Sequence, residues 1–340
     1  MKFRALADTG VFVSELCLGT MTFGGNGQIW EKIGGLDQAA ADGIVHRALD
    51  AGINFLDTAD VYSAGESETM VGKAIAGKRH ELVLATKVRG RMGPGANQVG
   101  LSRLHIMRSV EASLKRLNTD YIDLYQIHRA DPVANIEDTL RALDDLVRAG
   151  KVRYIGCSNL PAWQLMKALA VSREQHLERF RCTQSYYSLA GRDLERETIP
   201  LLKDQGLGLL VWSPLAGGFL SGKFTRTGGD QSARRANFDF PPVNKEKAFT
   251  ILDVLTPIAA AHGATVPQIA LAWLLAKAAV TSVIIGARKI AQLDDNLKAI
   301  DVTLTAEEMH ALDEVSKLTV EYPEWMDSLG SDRKPGERRY

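Results

Sequence analysis

The chain has 340 residues and a mass of 37.1 kDa, 45% of them hydrophobic and 24% charged, enough to build one large α/β barrel or two smaller domains. Its 41 basic side chains balance 41 acidic ones, and the pI lies near 7.1. That balance excludes a global field drawing the protein to nucleic acid or an anionic membrane, so a small-molecule partner is expected.

The first residues, "MKFRALADTGVFVSELCLGT", lack the long apolar core of a signal peptide, and no uncharged apolar run reaches the length of a bilayer span. A cytosolic protein is expected. Within this stretch "FRALADTGVFVSEL" reads as a hairpin turning at Asp8-Thr9-Gly10, placed to cap one end of a barrel. Short β-rich runs then recur at 16–18, 53–56, 82–86, 122–126, 152–157, 181–184, 207–211 and 281–285. Amphipathic stretches of helical period lie between and after them, at 38–51, 67–76, 102–117, 136–149, 162–172, 194–204, 267–278 and 290–299. Eight βα units require right-handed crossovers and a parallel sheet, and the number favours closure into a (β/α)8 barrel.

The expected architecture is therefore α/β, a TIM barrel with an N-terminal hairpin cap, forming a single domain over residues 1–320. Residues 216–245, rich in Gly, Arg and Pro, form a long connection after the seventh strand, of the kind that serves as a lid or binding loop. The tail, 321–340, carries Trp325 and Met326 before a charged end, and its aromatic part is expected to pack near the barrel mouth. The three cysteines, Cys17, Cys157 and Cys182, sit in apolar, strand-like contexts without CxxC spacing and read as buried free thiols. Histidines 46, 80, 105, 176, 262 and 310 are scattered, and neither GxSxG nor HExxH occurs.

In such a barrel the reactive groups stand at the C-terminal ends of the strands. The second strand delivers Asp57 and, five residues on, Tyr62; the third ends at Lys87 and the fourth at His128. The fifth ends at Ser158 and Asn159, the sixth at Gln184, the seventh at Trp212 and Ser213. Singly these read as a turn former, a snorkelling cation or a satisfied core imidazole. Together, an acid, an ammonium, a phenol and an imidazole at one mouth are a costly set of polar groups unless they bond one another. Lys87 beside Tyr62 would favour the phenolate and lower the phenol's pKa, while Asp57 holds Lys87 charged and His128 orients a substrate oxygen. That set is a proton donor to a carbonyl. No side chain donates hydride, so a nicotinamide is expected in the mouth, with Trp212 under its ring and Ser158, Asn159 and Gln184 on its carboxamide.

"GINFLDTADVYSAGESE", "LATKV", "SLKRLNTDYIDLYQIHRAD", "LVRAGKVRYIGCSN", "QSYYSL", "WSPLAGGFLSGK" and "IIGARKIAQLDDN" follow one another along nearly the whole chain. In order and spacing they resemble the aldo-keto reductases. The resemblance implies a (β/α)8 barrel, NADP(H)-dependent interconversion of carbonyls and alcohols, and a catalytic tetrad of Asp57, Tyr62, Lys87 and His128. It also implies cofactor contacts from Gly19, Thr20 and Met21, with Ser158, Asn159, Gln184 and Trp212 at the nicotinamide. Ser213, Pro214, Leu215, Gly217, Leu220 and Lys223 fall where family members hold the pyrophosphate, and Gly286, Arg288, Gln292 and Asn296 where they hold the adenosine end. Arg234 is a further candidate clamp on a phosphate.

Two departures stand out: Trp212 replaces the tyrosine many members stack on the nicotinamide, and "GAR" replaces a lysine–serine pair on the 2′-phosphate. Arg288 retains a planar, charge-assisted phosphate contact, which favours NADP(H) over NAD(H). Phe23, Trp30, Arg89, Arg129, Arg91 and Trp325 are candidates for the substrate pocket, alongside Tyr62 and His128. Two rival readings arise, of which the first is spoiled and the second stays open. "GGFLSGKF" matches a phosphate-binding loop except that Phe224 stands where magnesium needs Ser or Thr. The family also includes β-subunits of ion channels, which can keep the catalytic residues. The identity of the substrate and the oligomeric state are not legible in the sequence.

Overall fold

Residues 3–5 and 12–14 pair before the repeat begins, as strands β1 (Phe3–Ala5) and β2 (Phe12–Ser14), antiparallel and in register Arg4 to Val13. In the computed structural model, which describes residues 1–25, 27–230 and 234–326, this hairpin closes the N-terminal end of a barrel. Leu6 and Val13 from the hairpin join Cys17, Phe55, Ala85, Leu124, Cys182, Leu210 and Ile284 in the inner core. The Tyr154 hydroxyl donates to Thr9 O, and Arg181 pairs with Asp8, fastening the cap to the strand starts.

The barrel strands are β3 (Leu16–Gly19), β4 (Phe55–Asp57), β5 (Val83–Val88), β6 (Ile122–Ile127), β7 (Val152–Ser158), β8 (Phe180–Tyr186), β9 (Gly208–Trp212) and, closing it against β3, β12 (Ser282–Ile285). All pairs are parallel, with Gly19 beside Asp57, Lys87 beside Gln126 and Ser158 beside Gln184. Their apolar runs fit strands buried on both faces. Helices α2 (Gln38–Asp50), α3 (Glu66–Ala74), α4 (Arg103–Leu117), α5 (Ile136–Arg148), α6 (Ala162–Glu174), α7 (Thr198–Gln205), α10 (Val266–Leu275) and α11 (Ile290–Leu297) cover the outside. Local signals set their ends. Ser102 caps α4 by accepting from His105 N and left-handed Asn118 stops it, while Thr265 and Gln268 form a reciprocal capping box on α10.

Two long helices lie outside the expected repeat. One is α9 (Lys245–Ala261), which holds Pro257 in its interior and is apolar enough to blur its periodicity. The other is α12 (Ala306–Ser316), whose capping box Thr305/Glu308 is a readable start signal. α7 begins later than expected because Asp193–Glu195 forms a separate 3-10 turn. The short α1 (Gln28–Ile33) follows β3.

The connection after β9 is built rather than featureless. It comprises a turn at Ala216–Ser221, a small hairpin β10 (Phe224–Thr225) and β11 (Gly228–Gly229), and the one-turn α8 (Arg234–Asn237). Cys17, Cys157 and Cys182 are all buried free thiols. In the tail, Arg196 holds Glu321 at 3.2 Å, and exposed Trp325 lies against Tyr322; residues 327–340 lie outside the described residues. Among the described residues no single helix is long and apolar enough to cross a membrane.

Candidate active site

Asp57 closes β4, and the chain beyond it stays zipped to β5: Thr58 N donates to Ala85 O (2.9 Å) and Asp60 N to Lys87 O (3.2 Å). Tyr62 then opens a tight turn in which Ser63 and Ala64 both take left-handed backbone angles (φ 48° and 54°). Such angles cost about 1–2 kcal/mol per non-glycine residue. Here the turn is held by the Ser63 hydroxyl, which donates to Phe23 O at 2.9 Å. The result brings the phenol back over the strand ends.

Lys87 is fully buried, and its three N–H groups reach Asp57 Oδ2 (2.5 Å), Thr58 O (2.9 Å) and the Tyr62 hydroxyl (3.3 Å). The other Asp57 oxygen accepts from Gln126 Nε2 (3.1 Å) and Gln184 Nε2 (2.8 Å). His128, whose backbone N–H donates to Val88 O, meets the Tyr62 ring edge-on at 5.8 Å. Trp30 lies against the same ring at 5.5 Å. A second chain of bonds runs alongside. Trp212 Nε1 donates to Asn159 Oδ1 (3.0 Å), Asn159 Nδ2 to Ser158 Oγ (2.8 Å), and Ser158 Oγ to Gln184 O (2.8 Å). Asn159 reaches this geometry with a left-handed φ of 55°. The network therefore joins Trp212 to the acid–ammonium–phenol group through Gln184.

Burial is the largest influence on the Tyr62 phenol and raises its pKa; Lys87 lowers it and Asp57 raises it, and the net value stays above the ordinary one. The expected lowering by Lys87 is thus outweighed by desolvation. For Lys87, burial works against the charge, but Asp57 and Tyr62 more than restore it, so the ammonium persists at neutral pH. Burial, reinforced by Lys87, Arg129 and Arg89, pushes His128 down to about 3, leaving a neutral imidazole that can donate or accept a hydrogen bond.

Most of these groups line a cleft of about 730 Å³, whereas buried Lys87 and Gln126 lie behind its wall. Gly19, Thr20, Met21, Asp57, Tyr62, His128, Ser158, Asn159, Gln184, Trp212, Ser213, Pro214, Leu215, Gly217 and Lys223 line it, as do Gly286, Arg288, Gln292 and Asn296 at its far end. Trp30 lines it too, whereas Phe23, Arg89 and Arg129 do not. Phe23 is buried in the outer core, and exposed Arg129 and half-buried Arg89 reach the site only through their charge on His128. Leu220 is also wholly in the core and off the cleft wall, as Arg91 and Trp325 are off it. The backbone of Arg234 belongs to α8, but its side chain lies outside the described residues.

Several contributors carried no sequence signal. Gln126 sits in an apolar strand, and only the fold turns it onto Asp57. Arg235, 5% exposed, donates to Ala216 O (2.6 Å) and Pro241 O (2.8 Å) and pairs with Asp239, which pins the long connection over the cleft. Phe240 from that connection lies parallel to Trp212 with ring centroids 5.8 Å apart. Among the described residues no group of three His, Cys, Asp or Glu is placed to hold a metal ion.

A closed parallel barrel with a polar cluster and a long cleft at the strand C-termini is an enzyme-type α/β barrel. The aldo/keto reductase family profile matches residues 15–317, and the chain belongs to that family of oxidoreductases. It is 39% identical over 93% of its length to an uncharacterized oxidoreductase, YrpG, of Bacillus subtilis, covering 96% of that protein. It is 35% identical to norsolorinic acid reductase of Aspergillus flavus (93% of this chain, 81% of that one). To a probable voltage-gated potassium channel subunit beta of Arabidopsis thaliana it is 36% identical (89% and 92%).

Proposed function

We propose that the protein reduces aldehydes or ketones to alcohols with NADPH, and oxidises alcohols in reverse, with Tyr62 as the general acid. The observation that carries this reading is the buried Lys87 ammonium, which bonds both Asp57 and the Tyr62 hydroxyl, two residues that line the cleft. The cleft suits a dinucleotide in chemistry: neutral amides and a hydroxyl at the Trp212 end, and the Arg288 guanidinium, in no ion pair among the described residues, at the other. A nicotinamide bound there supplies the hydride that no side chain can.

Trp212, fixed by Asn159, offers a face for that ring where Phe240, which lies parallel to it, gives way, and Ser158, Asn159 and Gln184 the carboxamide partners. The Gln184 amide N–H is engaged by Asp57, which leaves its oxygen as an acceptor. Neutral His128 donates to the carbonyl oxygen and holds it against the phenol, and Tyr62 delivers its proton as negative charge develops there. Lys87, kept charged by Asp57, stabilises the phenolate left behind. Arg288 supports NADPH over NADH because a guanidinium can grip a phosphate in its plane.

Tyr62→Phe keeps the ring and removes only the proton. It is expected to lower kcat by about 10²–10⁴-fold while the dinucleotide still binds in a fluorescence titration. Wild-type kcat in that variant rejects Tyr62 as the acid. The similarity to a plant channel subunit supports a second reading, a cofactor-binding regulatory subunit. Steady multiple turnover of an aldehyde with NADPH decides between the two.

A further inference from the structure

Asp60 is fully buried two residues before Tyr62, and among the described residues neither carboxyl oxygen has a hydrogen-bond partner. The Val61 N–H lies near enough to favour an anion there, but outside hydrogen-bond geometry. The Tyr125 hydroxyl on β6, equally buried and electrostatically coupled to Asp60, is unpartnered as well. Unsatisfied buried polar atoms are few in native proteins and mark strain, hydration or function.

The charges that face Asp60 are already committed. Lys87 on β5 spends all three N–H groups on Asp57, Thr58 O and Tyr62. On α3, buried Glu68 accepts from Thr86 (2.5 Å) and from Arg116 of α4, whose Nε and Nη2 both stand 2.7 Å from one carboxylate oxygen. The remaining Arg116 bond goes to Ser113. One ammonium and one guanidinium thus serve two carboxylates, Asp57 and Glu68. A third, ionised, would be a buried charge with no partner, whereas a carboxylic acid avoids that penalty. Burial accordingly pushes the Asp60 carboxyl well above the carboxylate range, and Glu68 adds to it; Val61 N–H, Arg116 and Lys87 oppose it only in part.

We propose that Asp60 is a positioning residue held as a neutral carboxylic acid, which leaves Asp57 the only carboxylate bonded to Lys87, and that its ionisation at alkaline pH turns the site down. Its N–H bond to Lys87 O fixes it against the strand that carries the ammonium, with only Val61 between it and Tyr62. A negative charge at Asp60 makes the Tyr62 phenol a weaker acid and attracts the Lys87 ammonium that Asp57 and Tyr62 share. The effect on rate rests on the proposed role of Tyr62; the protonation state does not.

Infrared difference spectra of the wild type against Asp60→Asn read the carboxylic-acid C=O stretch, which ionised carboxylates lack. The band is expected in the wild type at neutral pH, and its disappearance on raising the pH should coincide with a fall in kcat for benzaldehyde and NADPH. Asp60→Asn, which mimics the neutral acid, should keep kcat at neutral pH within about twofold and lack that fall, a difference of at least about threefold at the alkaline end. If the variant does not fold, isotope-labelled aspartate assigns the band in the wild type and the same coincidence is read there. No band at neutral pH overturns the proposal, as does a band that vanishes, or persists to alkaline unfolding, without any step in kcat. A step retained in Asp60→Asn overturns it too. A wild type that reduces no carbonyl compound removes the proposed function and the positioning role with it, while the band still decides the protonation.

Discussion

Lys87 Nζ stands 2.5 Å from Asp57 Oδ2, with the two side chains 0% and 3% exposed. Two charges so placed are mutually necessary: each alone would be an ion in a medium that cannot solvate it. The pair also fixes the position of the Tyr62 hydroxyl, because the third Lys87 N–H is spent on it. The same contact thus bears on stability and on the proposed function.

Asp57→Asn tests the contribution to stability. An asparagine must turn its NH2 either toward the ammonium or toward the amides of Gln126 and Gln184, so one set of donors is left without an acceptor. A loss of about 3–5 kcal/mol in urea unfolding is expected, as for a broken buried pair. A loss under about 1 kcal/mol would show that the ammonium is solvated or paired elsewhere.

His128 predicts a pH dependence of stability. Its pKa falls from 6.5 to about 3 on folding, so between those values the unfolded chain binds a proton that the folded chain refuses. Stability therefore decreases as pH falls through that window, and the penalty is absent above 6.5. Melting temperatures of wild type and His128→Gln should converge in slope above pH 6.5 and diverge below it, the variant losing less. Parallel curves throughout would mean that His128 protonates freely in the folded state.

Under the proposed function cofactor choice turns on Arg288, which lines the cleft with Gln292 and Asn296. Its backbone N–H is taken by the Gln292 side chain at 2.9 Å, which fixes the chain while leaving the guanidinium free of ion pairs among the described residues. Arg288→Ala should raise KM for NADPH about tenfold, the equivalent of one charge-assisted bond of about 1.4 kcal/mol, and leave KM for NADH nearly unchanged. Equal changes for both dinucleotides reject Arg288 as the phosphate ligand.

The βα repeat was legible because each strand is a short apolar run and several covering helices carry side-chain caps, as at Ser102 and Thr265. Two helices escaped: α9, whose internal proline and apolar composition weaken its local signature, and α12, despite the readable capping box at Thr305 and Glu308. Asp57, Tyr62, Lys87 and His128 could be read from strand ends because a parallel barrel points every strand the same way. Gln126, Arg235 and Phe240 could not, since nothing local distinguishes a strand glutamine or a loop arginine that meets the site from one that does not. The sign of the Tyr62 shift was likewise out of reach: the neighbouring ammonium is readable, but the depth of burial that outweighs it is not.

By itself, then, the sequence determined periodicity, closure into eight units and the kinds of group at the mouth, because these follow from local chemistry and strand direction. Only the tertiary structure decided which polar atoms find partners. Asp57 gains three donors and Asp60, three residues later, gains none, a difference set by the packing of β5, α3 and α4 around them.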